Sequence, residues 1–192
     1  MKSILFFLLT ISTFIANGQL KTQINFLQPP NKVNNDTIYF AASQPLVWND
    51  FKGAEQQKGM AIAETSSGFG FNAGFKMINN KGTLTVNIFC YFDKLQSWVK
   101  ADKKSNYALQ HEQNHFTISY IATNYFYQQL KKAKFTRYNY NDLLNEIYNA
   151  SMEKLQQMQN QYDAETRNGI IVSKQKVWDT KIKNQLIAAA KG

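Results

Sequence analysis

Residues 68–92 read GFGFNAGFKMINNKGTLTVNIFCYF, and their period of two decides the fold class. Phe69, Phe71, Ala73, Phe75 and Met77 alternate with Gly70, Asn72, Gly74 and Lys76. Asn79-Asn80-Lys81-Gly82 is a turn signal. Beyond it Leu84, Val86, Ile88, Cys90 and Phe92 alternate with Thr85, Asn87, Phe89 and Tyr91. Two antiparallel strands with one apolar face account for this pattern, because successive side chains of a strand point to opposite faces. Cys90 falls in the apolar set and reads as a small core residue.

The period then changes. From about Ser105 to Lys132, Leu109, Phe116, Ile118, Tyr120, Ile121, Tyr125 and Phe126 recur at three- and four-residue steps, which is one face of a helix. Phe135 to Tyr140 breaks the pattern, and Asn141 is expected to cap a second helix ending near Gln161. Thr166 to Gly169 reads as a loop and Val177 to Ala190 as a terminal helix. Upstream, Gln19 to Asn35 is polar and interrupted by Pro29 and Pro30, as in a surface arm with one edge strand. Strands followed by helices in segregated runs predict an α+β domain, an antiparallel sheet and then an antiparallel helix pair.

His111-Glu112-Gln113-Asn114-His115 lies inside the first helical period and contains the only two histidines of the chain. Residues four apart share a helix face, so both imidazoles can be aimed at one ion. Two histidines scattered at random would fall four apart only about once in a hundred trials. A catalytic zinc takes neutral nitrogen ligands and keeps one position for water, whose pKa it lowers. Glu112 beside the first ligand is the expected general base and acid for attack of that water on a carbonyl carbon.

With no third histidine, the remaining ligand is expected to be a carboxylate. The window lies about 28 Å from the end of the first helix, at 1.5 Å per residue. An antiparallel partner helix brings a position near residue 161 to the same level. Asp163 is therefore the expected ligand and Glu165 the reserve. A helix C-terminal carboxylate capping the following loop is the competing reading of Asp163. Tyr162 is a candidate oxyanion donor, or simply packed. Trp48, Asp50 and Phe51 read as a packing corner in which Asp50 bonds local backbone N–H groups.

The chain has 192 residues with 44% hydrophobic and 18% charged, which excludes a disordered chain. Met1-Lys2, the apolar run Ile4–Ile15 and Ala16-Asn17-Gly18 predict a signal peptide over residues 1–18, cleaved before Gln19. The run is shorter than the about 20 residues a bilayer span needs. Residues 19–192 are expected to form one exported domain, periplasmic or secreted, with no integral membrane segment after cleavage. The net charge of +9 comes from scattered basic residues and reads as solubility rather than association with anionic cell-surface polymers or lipid head groups, and no nucleic-acid partner is expected.

Leu46-Val47-Trp48-Asn49-Asp50-Phe51-Lys52-Gly53, Ser97-Trp98-Val99, Leu109 to Phe116, Tyr162-Asp163-Ala164-Glu165-Thr166 with Gly169, Gln175 and Trp178 form an ordered set. It resembles the DUF922 family of exported bacterial proteins regarded as zinc-dependent peptidases, over about residues 40–185. The resemblance implies a zincin-like peptidase with Zn2+ held by His111 and His115, Glu112 as acid and base, and the Tyr162-Asp163 segment at the site. Peptides or proteins are the implied substrates. In the family pattern a His commonly precedes the Gly of the last motif; here it is Asn168, able to donate to an oxyanion but a poor zinc ligand. A zinc-containing peptide-binding module with weakened or absent turnover is the alternative expectation.

Overall fold

A computed structural model of the chain describes residues 20–26, 36–56, 59 and 61–189. The signal peptide expected over 1–18, its cleavage site before Gln19, and Pro29 and Pro30 lie outside the described residues. The architecture is mixed α+β: strands β1 (Lys21–Phe26), β2 (Thr37–Tyr39), β3 (Ala63–Glu64), β4 (Ser67–Ile78), β5 (Lys81–Asp93) and β6 (Trp98–Val99) precede helices α1 (Asn106–Lys132), α2 (Tyr140–Thr166) and α3 (Val172–Ala189). Among the described residues no helix is long and apolar enough to cross a membrane.

β4 and β5 form the hairpin that their alternation predicts, with Phe69 opposite Cys90 and Phe75 opposite Leu84. The turn is tighter than expected. Ile78 pairs with Lys81, leaving Asn79 and Asn80 as a two-residue turn with φ of 48° and 60°. Asparagine tolerates this left-handed region, and such a turn follows the right-handed twist of the strands. The inward set of β5 is buried, from Leu84 at 0% exposure to Cys90 at 5%. Of the apolar set on β4 only Phe69 is buried to that degree; Phe75 and Met77 are exposed. Burial pushes the Cys90 thiol up to about 12, against a smaller opposing effect of a hydrogen bond with Thr123.

The sheet is not wholly antiparallel, in contrast to expectation. β1 lies parallel to β5 over Thr83–Ile88, and β2 antiparallel over Tyr91–Asp93, so the two share one edge of β5 while β4 takes the other. β3 and β6 form a separate two-stranded sheet. The Trp48–Asp50 corner is structural: Asp50 accepts from the Val47 N–H at 3.0 Å and pairs with Lys94, and Trp48 packs on Phe51.

α1 begins where Ser105 caps it, its Oγ accepting from the Ala108 N–H at 3.1 Å. It runs between the sheet and the other two helices. Ile118, Ala122, Phe126 and Leu130 join the main core, while Tyr125 of the expected apolar face is exposed. α2 starts after Asn139 rather than Asn141, and Asn139 Oδ1 bonds back to the Thr136 N–H. It continues to Thr166, past the expected end at Gln161; Tyr162 and Thr166 are both buried there, Tyr162 against Trp178 of α3. α3 starts five residues before the expected Val177, and its Trp178 and Ile182 complete the core. Burying a side chain of this size is worth about 2–3 kcal/mol.

Candidate metal centre

The short 133–139 connection returns the chain antiparallel to α1, so the C-terminal part of α2 faces the start of α1. Asn114 Nδ2 donates to Tyr162 OH at 3.1 Å, and Gln159 Nε2 donates to the His115 carbonyl at 3.0 Å. That register brings Asp163 to the two histidines, as helix length predicts. His111 Nε2 and His115 Nε2 lie 3.2 Å apart, and Asp163 Oδ1 lies 3.3 Å from the first and 3.0 Å from the second. Among the described residues, these three form the group of histidine, cysteine and acidic side chains placed to hold a metal ion.

The outer ring nitrogens decide what the inner ones carry. His111 Nδ1 faces Gln175 Oε1 at 3.0 Å and His115 Nδ1 faces Gln159 Oε1 at 2.6 Å. Amide oxygens accept only, so both Nδ1 atoms donate and both Nε2 atoms of the neutral rings present lone pairs. Asp163 Oδ1 is buried, and facing two lone pairs it has no hydrogen-bond donor, although both rings lie within ion-pair distance. The three converging lone pairs repel unless a cation, either a proton or a metal ion, sits among them. A tetrahedral ion with bonds of about 2.0–2.1 Å separates its ligand atoms by about 3.3–3.4 Å. The observed spacings are close to that, so the residues present fit such an ion.

Without a metal, a proton takes this place. Burial alone would raise the Asp163 carboxyl, but with that proton on the imidazoles the bonding and charge of His111 and His115 outweigh burial and hold it well below the usual carboxylate range. Burial lowers the proton affinity of His115, but Asp163, by hydrogen bond and charge, and the Glu112 charge reverse this, so the imidazole stands above its ordinary value.

Glu112 is buried, and its Oε2 accepts from Thr65 Oγ1 at 2.6 Å. Thr65 directly follows β3, so the strand region fixes the carboxylate beside the helix. Glu165 points elsewhere: its two oxygens accept from Gln161 at 2.7 Å and from the Trp178 indole at 2.9 Å. Tyr162 is fully buried behind His111, stacked on its ring at 4.7 Å, with its hydroxyl accepting from Asn114 and Gln175. Burial pushes its phenol pKa upward. Asn168 is exposed, and its backbone N–H accounts for its position by capping the Asp163 carbonyl at 2.9 Å.

Thr65, Asn114 and Gln159 were not legible as site residues in the sequence, since a polar side chain on an amphipathic helix reads as solvated and a lone threonine between strands carries no signal of its own. Gln175 and Gly169 entered only through the motif set. Gly169 has φ of +81°, and its backbone lies against the His111 ring.

Comparison with curated proteins and with solved structures found no match. Residues 81–169 match the family described as bacterial protein of unknown function (DUF922), which includes β5, α1 and α2 but neither the Leu46–Gly53 segment nor α3. Over that stretch the chain is similar to the DUF922 family.

Proposed function

We propose that the chain is an exported zinc-dependent peptidase with a zincin-like site, in which His111, His115 and Asp163 hold the ion and Glu112 moves the proton. The convergence of two Nε2 atoms and one carboxylate oxygen at tetrahedral spacing carries this reading. Two imidazoles and a carboxylate suit zinc, and three protein ligands leave room for water. Bound zinc would supply a water of lowered pKa and a Lewis acid for the carbonyl oxygen. Glu112, next to His111 in the chain, accepts the proton of the attacking water and passes it to the leaving amine. The Thr65 hydroxyl keeps the carboxylate in one orientation for that transfer. An extended peptide or protein segment would add to a sheet edge. The β3–β6 sheet ends one residue before Thr65 and has no further strand partner among the described residues. Export rests on the N-terminal sequence.

The test compares wild type with Glu112→Gln on a pool of unfolded polypeptides. The variant should keep its zinc and lose turnover by about 10²–10⁴-fold. Equal rates would reject the peptidase reading.

A second reading is a zinc-containing peptide-binding module without turnover. The burial of Glu112 under the Thr65 hydroxyl, at 5% exposure, favours it, as does Asn at position 168. It expects wild type and Glu112→Gln to bind peptides alike and cleave none.

A further inference from the structure

The two imidazoles are oriented by amides, and each amide has one orientation open to it. Gln159 is fixed locally, because its Nε2 donates to the His115 carbonyl, which can only accept. Gln175 is fixed from further away. It is buried on α3, beyond the family match, and its Nε2 donates to Asp179 Oδ1 at 2.8 Å and to Tyr162 OH at 2.6 Å. An ionised carboxylate accepts only, so Asp179 keeps Nε2 on its own side and turns Oε1 towards His111 Nδ1. Asn114 Nδ2 donates to the same Asp179 oxygen at 2.7 Å and anchors it to α1.

We propose that Asp179 is a positioning residue for the metal centre: acting through Gln175, it sets which nitrogen of His111 carries the proton and makes α3 part of the site. This rests on the metal reading above and assigns a role to a helix that contributes no ligand. An asparagine at position 179 has a donor as well as an acceptor. It lets the Gln175 amide turn over, present its NH2 group to His111 Nδ1 and drive the proton to Nε2, where a lone pair is needed. A glutamate at 175 facing an asparagine at 179 restores an acceptor for Nδ1, with the polarity of the 175–179 bond reversed.

The experiment uses the full chain and reads ring-nitrogen chemical shifts of metal-free protein at about pH 9, where imidazoles are neutral, together with zinc titration. Wild type should carry the proton on Nδ1 of both rings. Asp179→Asn should move His111 towards the Nε2–H form, leave His115 unchanged and weaken zinc binding about 10–100-fold. Asp179→Asn with Gln175→Glu should recover the His111 tautomer and most of the lost affinity. The proposal is overturned by a wild-type His111 protonated on Nε2, by an Asp179→Asn protein unchanged in tautomer and affinity, or by a double variant no better than the single one. A wild type that binds no zinc, yet whose His111 shifts respond to Asp179→Asn, overturns the metal reading and leaves the tautomer relay standing.

Discussion

Gly169 lies against the ring of His111: a β-carbon at that position would stand 3.2 Å from Nδ1 and 3.3 Å from Cγ. The turn after α2 runs through three left-handed residues, Arg167, Asn168 and Gly169, and the last meets the histidine. The Tyr107 hydroxyl donates to the Gly169 carbonyl at 2.5 Å and ties the turn to α1.

Gly169→Ala should therefore cost stability in two ways, by a side chain at φ of +81° and by pressure on the ring that bonds Gln175. About 1–2 kcal/mol is expected from the backbone conformation alone. Thermal unfolding measures the first effect and zinc affinity the second. An alanine variant as stable as wild type, with the same affinity, would show that the turn is not held against His111.

The carboxylates Asp163 and Glu165, two residues apart, should behave differently. Asp163→Ala removes an inner group and should abolish stoichiometric zinc binding at micromolar protein. Glu165→Ala removes bonds from Trp178 and Gln161, should lower stability only slightly, and should leave zinc content unchanged. Metal analysis of both proteins separates these outcomes, and a reversed pattern would make Glu165 the ligand.

Proton and metal compete for one place, which gives the pH dependence its sign. His115 stands above its ordinary 6.5, so its stabilisation of the metal-free protein is complete below that value and is lost as pH rises through the raised value. Asp163 stands below its ordinary 3.8, so its contribution is present above that value and is lost only as pH falls through the lowered one. Between those limits the metal-free trio is held by its proton, and zinc must displace it. The rise in melting temperature on adding zinc should be small near pH 6 and larger near pH 8. A rise that shrinks over the same interval would contradict the competition.

Much of the fold is legible because burial imposes a period. The hairpin follows from Phe69–Phe92, and α1 from the spacing of Phe116, Ile118 and Phe126. The parallel pairing of β1 with β5 left no local signal, since an edge strand can lie either way with the same composition. α2 outruns its own apolar stripe because Tyr162 packs against Trp178 of α3, and such a partner cannot be seen in the α2 sequence alone. At the site, the histidine spacing and the helix-length argument reach His111, His115 and Asp163. The glutamines, Asn114 and Thr65 escape them, because hydrogen-bond direction depends on three-dimensional neighbours. Asp179 escapes them too, and its oxygen accepts from Asn114 and Gln175.

Thr65→Val keeps the side-chain shape and removes the donor to Glu112. Zinc content should stay at the wild-type level while turnover falls about tenfold, as the carboxylate loses its fixed orientation. A fall in zinc content instead would assign Thr65 to the architecture of the metal group.

The most direct measurement is the metal content of the full chain purified without chelator, beside that of His111→Ala and Asp163→Ala. One zinc per wild-type chain is expected, with none retained by either variant. A wild type that holds no metal, or variants that hold as much as wild type, would contradict a centre built from His111, His115 and Asp163.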